Sequence, residues 1–126
     1  MGSAVQRPPR VLVVEDQMML GMYIVHLLED AGCTVVGPVA HVTTALPIAL
    51  HEPLDAALLD VFLIDETAVP IAHALERRGI PFALISAYAR DHIPSELRSR
   101  PYLAKPFMDR EVTALVSGLV GRAGSA

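Results

Sequence analysis

At 126 residues, 52% of them hydrophobic, the chain is long enough for one compact domain with a real core. Its net charge of −4, with no run of Lys or Arg, argues against non-specific nucleic-acid binding, which needs clustered cations. A lone cysteine, Cys33, excludes an internal disulfide and points to a reducing cytoplasm, and no apolar stretch has the length to cross a membrane.

Residues 1–9 are small, polar and Pro-containing, without a charged-then-apolar leader, and are expected to be flexible. A first apolar run, 11–14, is too short for a helix and reads as a strand. Leu20, Ile24, Leu27, Leu28 and Ala31 then share one helical face, which Gly32 ends. Met18, Met19 and Met22 are expected to pack against or cover that helix rather than hold a cofactor, and Cys33 to be a small buried residue. Residues 34–36 form the second strand. A helix over 45–51 follows. Proline is tolerated in a first turn, so Pro47 makes Thr44 the expected N-cap. The third strand, 56–59, leads to a helix over 68–78 with Pro70 near its start and Thr67 as the expected cap. The fourth strand is 82–85. Beyond it, Pro94 and Pro101 leave room for only one or two irregular turns over 90–99. A fifth strand, 102–104, precedes a helix whose buried face is Val112, Leu115, Val116, Leu119 and Val120. The domain is expected to span 10–121, with 122–126 as a flexible tail and no further domain.

Strand and helix alternate five times, and the strands are continuous apolar runs, as in strands buried on both faces. This predicts a single doubly wound α/β domain: a five-stranded parallel sheet with helices on both faces and a short or irregular fourth helix. Such folds bind ligands beyond the carboxyl ends of their strands. Those ends carry Glu15-Asp16, Asp60, Ser86 and Lys105-Pro106. Three carboxylates brought together repel unless a cation joins them, and Mg²⁺ suits carboxylates, water and phosphate oxygens. One carboxylate can then act as nucleophile toward phosphorus, with the lysine and the hydroxyl balancing charge on the transferred group. Singly, each residue has an ordinary explanation as a cap, a turn or a surface charge; the joint placement carries the reading. The five histidines, His26, His41, His51, His73 and His92, show no metal-ligand spacing and read as surface residues.

The ordered set Val-Val-Glu-Asp, Leu-Leu-Asp, Ile-Ser-Ala and Tyr-Leu-Ala-Lys-Pro-Phe resembles the response-regulator receiver (CheY-like) family, here of single-domain type, from Arg10 to about Gly121. The resemblance implies that Asp60 is the phosphoacceptor. It implies that Asp16 and Asp60 hold Mg²⁺, that Glu15 assists, and that the Phe62 backbone carbonyl completes the protein's ligands. Ser86 stands where a hydroxyl binds the phosphoryl group, Lys105 where a lysine pairs with the acyl phosphate, and Tyr102 where an aromatic swings inward on activation. Phe62 and Tyr88 stand where the approach of water to the phosphate is tuned. The implied partners are a histidine kinase or histidine phosphotransferase and an unidentified downstream protein, with neither nucleic acid nor membrane. Such a domain assists its own phosphorylation but is no conventional turnover enzyme.

Two departures stand out. The loop 61–67 after Asp60 has no Gly or Pro. The Ser-Ala-Tyr after the fourth strand, with Pro-Phe after the fifth, faintly resembles a receiver subgroup with Thr-Gly-Tyr and a degraded fourth helix. Two rival readings remain at this point. One is an interaction module that keeps the fold without phosphotransfer. The other is an aspartyl-phosphate hydrolase, which would want a second Asp where Phe62 stands.

Overall fold

The computed structural model describes residues 7–124. Five strands, β1 (Arg10–Val14), β2 (Thr34–Val39), β3 (Ala56–Asp60), β4 (Phe82–Ser86) and β5 (Tyr102–Ala104), form one parallel sheet in the order β2-β1-β3-β4-β5. Helices α1 (Met18–Asp30), α2 (Val42–His51), α3 (Val69–Arg77) and α4 (Asp109–Gly124) cover its two faces. The doubly wound α/β fold expected from the sequence is therefore present, with its strand-order reversal between β1 and β3.

Alternation along β1 explains why its apolar run is unbroken. Leu12 and Val14 point into a core shared with α2 and α3, whereas Val11 and Val13 point into a second core under α1 and α4. β3 and β4 divide in the same way, Leu59 and Leu84 to the first core, Leu58 and Ile85 to the second.

β2 runs three residues past its expected end, through Gly37 and Pro38, with an irregular register against β1. Gly37 has φ +118°, and a Cβ there would lie 2.5 Å from the Val13 carbonyl oxygen. Backbone cannot yield as a flexible side chain does. Gly37→Ala is therefore expected to cost about 2–3 kcal/mol, read as a lowered denaturation midpoint at unchanged m-value.

Several expectations need correction. α2 begins at Val42, not after Thr44, and no side chain of its N-cap residue His41 caps it. The cap comes from elsewhere in the chain: the Asp65 carboxylate accepts the Val42 N–H at 2.9 Å and the Thr43 N–H at 3.2 Å. Pro47 consequently lies inside the helix. Its missing N–H frees the carbonyl of Thr43, an exposed residue that water reaches. Thr67 is no cap either: Ala68 precedes α3, and Thr67 pairs with Phe62 in an antiparallel bridge. Pro70 does sit in the first turn.

Met18, Met19 and Met22 cover the outer surface of α1 rather than its core face, at 52%, 88% and 55% exposed. Gly21, Ile24, Val25 and Leu28 supply the buried face of α1. Cys33 is half-buried, against the second core, and burial raises its thiol pKa. The last helix continues to Gly124, beyond the expected boundary at 121; 125 and 126 lie outside the described residues, as do 1–6 of the N-terminal segment.

In place of a fourth regular helix before β5, the chain makes two short 3₁₀ turns, Arg90–His92 and Ser95–Leu97. Ile93 and Leu97 anchor them in the core. Arg90 closes the segment, its Nη1 donating to the carbonyls of Arg98 at 2.6 Å and Arg100 at 2.8 Å. Arginine can do this where prolines forbid helical hydrogen bonds, because its fork offers several fixed donors. Among the described residues no helix is long and apolar enough to cross a membrane. All five histidines are exposed.

Candidate phosphoacceptor site

The carboxyl ends of β1, β3, β4 and β5 meet at one cleft of about 290 Å³, lined by Asp16, Gln17, Asp60, Phe62, Ser86, Ala87, Tyr88 and Lys105. One carboxylate oxygen from each of Glu15, Asp16 and Asp60 lies within 4.8 Å of the other two. Asp60 ends β3 and is 5% exposed; Glu15, one residue past β1, is fully buried. Parallel strands deliver these residues together because each strand arrives pointing the same way.

Among the described residues, one cation faces the cluster. Lys105 Nζ lies 3.2 Å from Asp60 Oδ2 and 3.1 Å from Glu15 Oε1. The contact to Asp60 is a hydrogen bond, and the same ammonium is an ion-pair partner of the buried Glu15 Oε1. Its other oxygen accepts the Gln17 N–H at 2.9 Å. Burial is the main cause that lifts the Asp60 carboxyl to about 7, followed by the repulsion from Glu15, while Lys105 pulls the other way. The Lys105 ammonium is itself held above its usual range: its two carboxylate neighbours outweigh its burial. One ammonium thus does not neutralise three carboxylates. Three clustered carboxylates that share a single ammonium form an all-oxygen donor set that fits a hard divalent cation.

The remaining site residues are placed around this centre. Ser86 is buried, and its Oγ accepts the Tyr88 N–H at 3.0 Å, leaving the hydroxyl hydrogen available. Tyr102 is half-buried; its hydroxyl donates to the Tyr88 carbonyl, and the Arg90 guanidinium lies 4.9 Å over its ring. Phe62 and Tyr88 meet edge to face, centroids 5.1 Å apart, at the rim of the cleft.

Sequence reasoning missed Gln17, whose Oε1 is 3.5 Å from Lys105 Nζ. Its position directly after the acid pair was the available signal. It also missed Asp65, for which the linear sequence holds no signal, because its partners belong to α2.

No family model matches the chain. The structure superposes on SdrG from Sphingomonas melonis Fr1 with a TM-score of 0.79 and 35% identity, covering 92% of this chain and 99% of that one. The receiver domain of the sensor histidine kinase PA1611 from Pseudomonas aeruginosa PAO1, solved with a magnesium ion in its active-site cleft, superposes with a TM-score of 0.80 at 23% identity, over 90% of this chain and 98% of that one. The transcriptional regulatory protein BaeR of Escherichia coli O6:H1 is 27% identical over 121 residues, 93% of this chain and 50% of its own. The chain spans about half the length of the curated relatives it matches. An identity of 35% over nearly all of both chains, on a fold shared with receiver domains, means that this chain belongs to the response-regulator receiver family.

Proposed function

We propose that the chain is a phosphoacceptor of a two-component phosphorelay, phosphorylated on Asp60 by a histidine kinase or a histidine phosphotransferase. The observation that carries this reading is a buried Asp60 that opens on a cleft, with an ammonium at 3.2 Å and two further carboxylates beside it. An Asp60 oxygen attacks phosphorus, the phosphorus–nitrogen bond of the donor phosphohistidine breaks, and its electron pair returns to the imidazole. The product is an acyl phosphate.

Glu15, Asp16, Asp60 and the Phe62 carbonyl would hold Mg²⁺. When bound, the metal supplies positive charge against the phosphoryl oxygens. Lys105 holds its ammonium beside the acceptor oxygen, where it also meets charge that develops during transfer. The Ser86 hydroxyl hydrogen is free to bind a phosphoryl oxygen once one arrives. That bond would draw on the same 86–88 segment that Tyr102 grips, which makes Ser86 and Tyr102 the switch through which phosphorylation alters the surface for a downstream protein. The chain assists its own phosphorylation and is no conventional turnover enzyme. The reading places it in a reducing cytoplasm and gives it no nucleic-acid or membrane partner.

Treatment with a small phosphodonor and Mg²⁺, followed by intact-mass measurement and peptide mapping, tests the proposal. One added phosphate on Asp60 is expected. An unmodified chain would favour a constitutive interaction module instead.

The phosphate is expected to be long-lived. Hydrolysis needs a water in line with the phosphorus–oxygen bond, and Phe62 and Tyr88 offer that approach two aromatic rings. Phe62→Asn or Tyr88→Ala is expected to shorten the lifetime about tenfold, a barrier change of about 1.4 kcal/mol. Decay followed on a phosphate-affinity gel checks this. A lifetime unchanged in both single variants and in the double variant would show that neither ring guards the site.

A further inference from the structure

The loop from β3 to α3 carries the backbone that the proposed metal site needs, yet it lacks the glycine or proline that would set its path. Internally it is closed by two hydrogen bonds, Leu63 N–H to the Glu66 carbonyl at 3.1 Å and Ala68 N–H to the Val61 carbonyl at 2.9 Å, which together make the antiparallel Phe62–Thr67 bridge. Its tip is held from outside. Asp65 spans to the first turn of α2 and accepts two backbone N–H groups there. That helix end has no other side-chain cap and no acidic residue in its first turn. α2 is in turn fixed to the sheet by Val42, Ala45 and Ala49, all buried. The base of the loop is held by the core, with Val61 and Leu63 buried on either side of Phe62 and the Val61 N–H bonded to the Ile85 carbonyl, while its tip is held by the grip of Asp65 on α2.

We propose that Asp65 is a positioning residue for the metal centre. By tying the loop tip to α2, it holds the Phe62 backbone where its carbonyl serves the cation, and the Phe62 ring where it meets Tyr88. This rests on the reading of the acidic cleft as a Mg²⁺ site. Charge-assisted hydrogen bonds to backbone N–H groups are strong enough for the task. Groups that orient a metal ligand without touching the ion typically change affinity by 10–100-fold.

Losing a helix cap also lowers stability, so the test separates the two effects. Asp65→Ala removes tether and cap together. Adding His41→Asp gives α2 a cap of its own, because His41 already has the extended backbone of an N-cap, φ −128° and ψ 146°. Mg²⁺ affinity is measured by calorimetry on the full chain, with thermal melts alongside. The expected result is a Mg²⁺ dissociation constant about tenfold weaker in Asp65→Ala, still weak in the double variant although its melting temperature has recovered. If affinity returns with stability, or never falls, Asp65 is only a cap and the proposal is overturned. If the double variant stays unstable, Asp65→Asn decides. It keeps one acceptor oxygen, so the proposal requires an affinity between those of the parent and Asp65→Ala, and an affinity equal to that of Asp65→Ala overturns it. A parent chain that binds no Mg²⁺ overturns the metal reading itself, an outcome distinct from these.

Discussion

Asp60→Asn should take up no phosphate from a small phosphodonor under conditions where the parent chain is fully modified. An amide oxygen is not a usable nucleophile toward phosphorus here, and no other carboxylate combines the placement of Asp60 at the end of β3 with a lysine hydrogen bond. Glu15 is the nearest competitor. It is fully buried, with one oxygen committed to the Gln17 N–H. Asp16 lies on the open rim of the cleft, without the lysine. Intact-mass measurement reads the result directly. A phosphate gained by Asp60→Asn at the parental rate would name a different acceptor and remove Asp60 from the mechanism. The same variant should also melt higher than the parent at pH 8 without Mg²⁺, because it replaces a repelled, desolvated anion by a neutral group.

Without metal, the stability of the parent should fall as pH rises from about 4 to about 7, and Mg²⁺ should abolish that slope. Burial and Glu15 lift the folded-state Asp60 carboxyl from 3.8 to about 7. Between those values the folded chain keeps a proton that the unfolded chain has released, so each rise in pH favours unfolding. The stabilisation is complete below the unfolded value and gone above the folded one. A shift of this size corresponds to at most about 4 kcal/mol. Mg²⁺ binds the deprotonated carboxylate, so binding should release a proton and tighten as pH passes 7. At about 100-fold over its dissociation constant, Mg²⁺ would add about 2.7 kcal/mol. Denaturation midpoints at pH 5 and pH 8, each with EDTA or excess Mg²⁺, give the four numbers needed. A metal-free midpoint that climbs between pH 5 and pH 8 would contradict the assigned direction, and a pH 8 midpoint indifferent to Mg²⁺ would count against the metal site.

The fold and the grouping of site residues were legible in the linear sequence for a physical reason. Strands of a parallel sheet all point the same way, so whatever follows each strand in the chain arrives at the same edge of the molecule. Locating five apolar runs was enough to bring Glu15, Asp16, Asp60, Ser86 and Lys105 together, without any knowledge of distances. The irregular turns before β5 were legible too, because Pro94 and Pro101 act on their own neighbourhood.

What failed to be legible depends on contacts through space. Thr44 and Thr67 were sound local candidates for caps. The α2 cap is instead Asp65, 23 residues beyond Val42, and once it is in place the helix starts earlier and takes Pro47 into its interior. The buried face of α1 is set by its packing too: Gly21 and Val25 join Ile24 and Leu28 on it, whereas Leu20 and Leu27 are only half-buried and Ala31 is exposed. The sequence by itself determined which groups stand at the cleft, because strand direction and apolar runs are properties of the chain. Only the tertiary structure decided how each group behaves there. The raised pKa of Asp60, the sharing of one ammonium between Asp60 and Glu15, and the grip of Asp65 on α2 arise from burial and contacts between residues that the linear order keeps apart.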